Sequence, residues 1–401
     1  MQDKNVERPR IRARKPGETV LHSLPPLSLY VHVPWCIRKC PYCDFNSHEL
    51  RDDLPEQEYL DALQADLEQA LPQIWGRQIV SVFIGGGTPS LLSGHTVDRM
   101  LAMFRAYLNV WPETEITLEA NPGTAEASRF QDYARAGVNR LSLGIQSFDD
   151  AALKALGRIH DAAQARRAID MALRAFDNIN LDIMFALPEQ TLEQCRQDIE
   201  TALSYRTQHL SLYHLTLEPN TVFAKYPPPV PDDDLAAEMQ DMIATLAEEG
   251  GWERYEVSAY ARPGHRAVHN VNYWEYGDYL GIGPGAHSKL SFPDRVVRQA
   301  RLRNPVSWTM AALKRDNSHL ALDQPVQASD FPFEFMLNAL RLKDGVPASY
   351  FQERTGQPLL SIAPALARAR SRGLLTNDPL RLQATALGWR FLSDLQAEFF
   401  D

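Results

Sequence analysis

From residue 28 onward, short runs of β-branched and other apolar residues alternate with longer stretches whose apolar positions recur every three to four residues. The short runs predict strands at 28–33, 79–84, 115–119, 141–145, 179–185 and 210–215. The amphipathic stretches predict helices at 56–71, 96–107, 125–136, 162–175 and 192–205. Such alternation implies right-handed crossovers and a parallel sheet. Six strands of this kind make most of a TIM-like barrel, a partial (β/α)6 arrangement. Pro227, Pro228, Pro229 and Pro231 then enforce an extended connection, because each fixes φ and restrains the residue before it.

After about residue 330 the pattern changes. Stretches 331–342 and 365–372 read as helices. A short strand at 380–384 follows the Asn377-Asp378-Pro379 turn, and Thr385 caps a last helix running through Phe400. Helices followed by a hairpin and a helix resemble a winged-helix module, here nearly neutral in charge. At the other end, residues 1–24 are polar and without apolar periodicity. Lys4, Arg8, Arg10, Arg12, Arg14 and Lys15 outnumber Asp3, Glu7 and Glu18, which reads as a disordered basic arm. The expected organisation is therefore an arm at 1–24, a barrel with its extension at 25–325 and a C-terminal domain at 326–401.

Composition narrows the class. The 401 residues are 44% hydrophobic and 23% charged, ordinary for a globular protein able to bury its own core. A net charge of −10 disfavours a general nucleic-acid binder, though it leaves room for a local basic patch. No apolar run approaches bilayer-spanning length, and the N-terminus has no apolar signal region, so a cytoplasmic protein is expected. The basic arm leaves room for a peripheral membrane contact or an acidic partner.

The chemistry lies in the cysteines. Cys36, Cys40 and Cys43 stand in the spacing C-x3-C-x2-C immediately after the first strand, while Cys195 falls in a helical stretch and reads as a small buried residue. Three close thiols form a poor disulfide framework and a good metal or cluster site. Three thiolates can hold three irons of a cubane iron–sulfur cluster, leaving the fourth iron open to an exchangeable ligand. The competing reading is zinc, with His32 or His48 as fourth ligand. His32 alternates with Val31 and Val33 in the strand, which favours a packed or hydrogen-bonded imidazole.

The spacing, with Tyr42 just before the last cysteine, resembles the radical S-adenosylmethionine (SAM) superfamily. The resemblance implies a [4Fe–4S] cluster on Cys36, Cys40 and Cys43, with the amino and carboxylate groups of SAM on the open iron. Other strand ends extend it. The second strand runs into Gly85-Gly86-Gly87-Thr88-Pro89, which matches the glycine motif that holds the SAM ammonium. Glu119, Gln146 and Asp182 lie at or near successive strand ends, with Arg158 between, and Tyr213-His214 in the sixth strand. Polar residues at several strand ends suggest one shared ligand. Tyr30, Tyr42, Gly86, Gly87, Thr88, Glu119, Gln146, Arg158 and Asp182 together resemble the SAM-binding set of the coproporphyrinogen-oxidase-like branch.

Two subfamilies share that scaffold. The oxygen-independent coproporphyrinogen III oxidase carries a further cysteine two residues after the triad, where this chain has Phe45, and a longer segment ahead of it. The His269-Asn270-Val271-Asn272-Tyr273-Trp274 signature instead resembles the haem-chaperone branch. An imidazole can ligate haem iron, and Tyr273 and Trp274 can pack on a flat macrocycle. His287, in Gly281-Ile282-Gly283-Pro284-Gly285-Ala286-His287-Ser288, is a second candidate ligand. The resemblance implies a six-stranded radical SAM barrel carrying SAM, a [4Fe–4S] cluster and haem. It implies haem transfer to apo-haemoproteins such as respiratory haem proteins, without oxidase activity, and it leaves SAM cleavage and a homodimer open.

Overall fold

The computed structural model describes residues 19–123 and 127–400. Six parallel strands form its centre: β1 (Leu27–Val33), β2 (Gln78–Gly86), β3 (Asn109–Ala120), β4 (Arg140–Gln146), β5 (Ile179–Phe185) and β6 (His209–His214). Each matches an expected strand, though β3 starts six residues earlier than its apolar run. Beyond β6 lie the short antiparallel β7 (Glu253–Arg254) and β8 (Ala259–Ala261). Beyond β1, β9 (Asp278–Ile282) adds a parallel strand, then β10 (His287–Phe292), β11 (Arg295–Arg301) and β12 (Leu320–Pro325) continue antiparallel. The result is one 12-stranded sheet in the order β12-β11-β10-β9-β1-β2-β3-β4-β5-β6-β8-β7.

The helices follow their sequence signals. Ala162–Ala175 starts at a capping box in which Asp161 and Gln164 satisfy each other's backbone N–H groups, and Leu192–Ser204 repeats this with Thr191 and Gln194. Glu56–Ile74 runs past its expected end through Pro72. Phe130–Ala136 is the described part of the helix expected at 125–136; residues 125 and 126 lie outside the described chain. One core joins β1–β6 to these helices through Leu29, Val82, Leu118, Leu143, Leu181 and Leu210, all fully buried. Cys195 is buried there too, as expected.

Two expectations need correction. The last helix is two, Ala386–Arg390 and Leu392–Ala397, because Phe391 leaves the helical region at φ −111°, ψ 48°. Thr385 does cap the first, accepting from Gly388 N–H. The proposed arm also ends earlier than residue 24. Leu21 is buried in a second core with Phe331, Phe335, Phe351 and Leu395, and its N–H donates to the Pro293 carbonyl. The rest of the expected arm, residues 1–18, lies outside the described chain. That second core also takes Tyr255, Tyr276 and Val296, so the C-terminal segment packs directly on the sheet extension.

Candidate functional site

The cysteine loop leaves the end of β1, and the glycine segment leaves the end of β2 beside it. Backbone bonds lock the two together: Gly87 N–H donates to Val33 O and Thr88 N–H to Trp35 O, both at 2.7 Å. A Cβ on Gly87 would stand 2.6 Å from Trp35 O, so only glycine permits this approach. Thr88 Oγ1 lies 3.4 Å from Cys36 Sγ.

Cys36, Cys40 and Cys43 line one cavity of about 280 Å³. Tyr42, Gly86, Gly87, Thr88, Glu119, Gln146, Arg158 and Asp182 line it as well, so the expected SAM-binding set converges apart from Tyr30. Arg158 spans the set. Its Nη2 donates to Asn121 Oδ1 at 2.6 Å and Gly144 O at 2.9 Å, and Nη1 reaches Cys40 Sγ at 3.6 Å. Its buried Nε has no hydrogen-bond partner among the described residues. Gln146 ends β4 at φ +70°, a left-handed conformation that aims a non-glycine residue into the site. Tyr30 stands one layer back. Its hydroxyl donates to His32 Nδ1 at 2.9 Å, and its ring stacks on Phe83.

Below the mouth the interior is polar. Asp182 accepts from Ser142 at 3.0 Å and Asn180 at 2.9 Å. His209 bridges Asn180 and the Tyr255 hydroxyl. Burial raises the Asp182 carboxyl despite those bonds. Glu119 accepts from Gly86 N–H at 3.0 Å, yet burial and then the Asp182 carboxylate push it up to about 8. Arg140, 2% exposed, offsets only part of this, and its Nε is also without a partner among the described residues. Sequence reading missed Arg140, Ser142, Asn180, His209 and Ser211. The signal was a second period-two pattern, since Arg140, Ser142 and Gly144, then Asn180 and Asp182, then His209, Ser211 and Tyr213 fall on alternate positions of apolar strands.

The thiols fit a cluster better than a single ion. Among the described residues no group of three His, Cys, Asp or Glu converges on one ion position. A cluster presents separate irons to separate thiolates. The zinc alternative also loses its fourth ligand. His32 is 5% exposed and spends both nitrogens, on the Tyr30 hydroxyl and Asn46 O, while His48 Nε2 faces Asn46 Oδ1. Burial raises the Cys36 and Cys43 thiols, so cluster binding must displace protons.

The H-N-x-x-Y-W segment forms the helix Val268–Trp274. Its first turn is held to β3, where the Glu115 carboxylate accepts from the N–H groups of Val268 and His269. The His269 ring stacks on Phe83 at 4.8 Å and faces Ser81 Oγ at 3.3 Å. Burial holds its pKa down to about 4. His269 is not among the residues lining the cavity.

A parallel sheet with three thiols and a glycine segment at adjacent strand ends is the architecture of a radical SAM protein. The family model described as the Radical SAM superfamily matches residues 30–202, and that of the HemN C-terminal domain matches 326–391. The solved coproporphyrinogen III oxidase HemN of Escherichia coli superposes with a TM-score of 0.79, covering 94% of this chain and 90% of that one at 21% identity. Within this class the chain belongs to the HemW haem chaperone family. It is 46% identical to the haem chaperone HemW of Escherichia coli over 377 residues, 93% of this chain and 97% of the relative. Identity to the Haemophilus influenzae haem chaperone HemW is 43%, with the same coverage.

Proposed function

We propose that this protein is a haem chaperone that carries a [4Fe–4S] cluster and SAM at its strand ends and passes haem to apo-haemoproteins. The observation that carries the reading is the convergence of Cys36, Cys40, Cys43 and eight of the nine expected SAM residues on one cavity, in a chain similar to HemW chaperones over nearly its full length. The six central strands are read as a partial (β/α)6 barrel, with 25–325 as the barrel and its extension. Segment 326–401 is read as winged-helix-like from the pairing of Val346–Pro347 with Arg381–Leu382 beside helices.

In this reading the three thiolates hold the cluster, and SAM bound to it supplies reductive carbon–sulfur chemistry. Gly86, Gly87 and Thr88 present backbone to SAM. Glu119 and Asp182 offer carboxyl groups that a cationic ligand would ionise on binding, while Gln146, Arg158 and Tyr42 fix its position. Tyr30 braces His32 behind the site. Haem is handled by the segment 268–288, which begins at the His269 helix. Acceptors are apo-haemoproteins, respiratory ones among them; contact with a membrane surface is peripheral, and no described helix is long and apolar enough to cross a bilayer.

The alternative is coproporphyrinogen oxidation, disfavoured by Phe45 where the oxidase resemblance calls for cysteine. The test is anaerobic reconstitution followed by haem titration beside a coproporphyrinogen turnover assay. Stoichiometric haem binding without vinyl product is expected. Turnover with weak haem binding would replace the chaperone with the oxidase.

A further inference from the structure

The two histidines of segment 268–288 stand in opposite settings. His269 is pinned against Phe83 and Ser81, away from the cavity lining. His269 is half-buried, with one face of its ring covered by Phe83. His287, at the start of β10, is exposed, and its ring makes no hydrogen bond to any described residue. Burial of its inner edge, followed by Arg298, Arg303 and Arg301, lowers its pKa and favours the neutral imidazole that a metal requires.

The segment that carries His287 is tied to the cysteine loop through Asn46. Its Nδ2 donates to Pro284 O and Arg303 O, both at 2.9 Å, and its own carbonyl accepts from His32 Nε2. A Cβ on Gly285 would lie 2.3 Å from Asn46 Nδ2, so the 281–288 segment is pressed onto the loop. One residue before Asn46, Phe45 is 57% exposed and lines the cavity mouth. Lys39 ties its Nζ to the Phe45 and Ser47 carbonyls, and Arg303 is exposed with its Nε 3.5 Å from Asn46 Oδ1.

Asn46 and its neighbours join Phe45, Lys39 and Arg303, and the exposed His287 is close enough to His32 and Arg303 to couple electrostatically with both. An imidazole, an aromatic ring and cations of this kind match a planar, apolar, dianionic metalloporphyrin with an open axial position. We propose that haem is received on this rim, with His287 as its axial ligand, Phe45 against the macrocycle, and Arg303 and Lys39 facing the propionates. This rests on the chaperone reading and places haem beside the cluster loop, linked to it through Asn46.

The experiment is anaerobic titration of cluster-reconstituted full-length protein with haem, and with haem dimethyl ester, whose propionates carry no charge. His287→Ala, Arg303→Gln and His269→Ala are compared with wild type, and iron content and SAM binding serve as folding controls. His287→Ala is expected to bind haem at least tenfold more weakly and to lose the imidazole-ligated Soret spectrum. Arg303→Gln is expected to weaken haem several-fold while leaving the ester unchanged. Wild-type affinity and spectrum in His287→Ala overturn the site, as does a loss confined to His269→Ala. A wild-type protein that takes up no haem removes the chaperone reading and the site together.

Discussion

Two buried polar networks in this molecule have opposite character. At the outer edge, Asp66 is completely buried. Burial would raise its carboxyl, yet Arg301, His319 and the Gly283 N–H outweigh it and hold it below the usual range. Trp308 Nε1 also donates to it, at 3.1 Å. Asp278 behaves alike, with Lys289, Arg77 and Ser291 around it. Inside the central strands, Glu119 and Asp182 are raised instead. A compensated network is finished by folding; an uncompensated one is finished by a ligand. The contrast separates the parts that hold the fold from the parts that hold chemistry, without reference to any family.

The largest expected effect is at the thiols. Serine at Cys36, Cys40 or Cys43 abolishes the cluster, measured as iron and sulfide content and visible absorbance, whereas Cys195→Ser retains it. Full cluster content in Cys40→Ser would contradict the assignment. Next come the carboxylates. Asp66→Asn leaves Arg301 buried without its counter-charge and is expected to cost about 3–5 kcal/mol, read by urea denaturation. Glu119→Gln should reverse the sign. The folded pKa of Glu119, about 8, exceeds its ordinary 4.5, so this group's contribution to stability falls as pH rises between them. Glu119→Gln should thus be the more stable protein at pH 8 while binding SAM more weakly. If both substitutions destabilise equally, the distinction between the networks fails.

A smaller effect comes from the buried histidines. Burial holds His32 down to about 4 and His209 well below its ordinary value. In both cases the unfolded chain takes the proton first as pH falls. Their stabilisation is complete above about pH 6.5 and is lost as pH drops toward 4, by up to about 3 kcal/mol for His32. Urea midpoints at pH 7 and pH 5 measure it. His209→Gln should flatten the slope, and an unchanged slope would show that His209 titrates freely.

Legibility in the sequence followed the same division. The six central strands were readable because their outward residues, such as Leu29 and Val31, Val82 and Ile84, or Ile116 and Leu118, are apolar at every second position. The outer strands were not, because Asp278, Ser288, Lys289, Ser291, Gln299 and Arg301 break the apolar pattern while being buried there. Their partners lie up to 235 residues away, as Arg301 and Asp66 do, and no local window contains both. At the site, motifs with local spacing were legible, namely the cysteines, the glycines and the H-N-x-x-Y-W helix. The packing of His269 on Phe83, the second-layer place of Tyr30 and the role of Asn46 depend on contacts between distant segments.

The smallest effect tests whether the mouth is strained for its ligand. Gln146 holds φ +70° at the end of β4, and Gly144 ahead of it leaves room that a Cβ would take, 3.0 Å from Gln146 Nε2. A non-glycine residue there costs on the order of 1 kcal/mol. Gln146→Gly relieves that cost but gives the unfolded chain more freedom, so the net gain is expected at about 1 kcal/mol or less. The same change removes an amide from the cavity and should weaken SAM binding, measured by calorimetry on the reconstituted protein. Greater stability with poorer SAM binding is the signature of a site whose backbone is held out of its preferred state by the surrounding sheet. Loss of both would mean that Gln146 is a structural residue of β4, and the mouth would then belong with the Asp66 network.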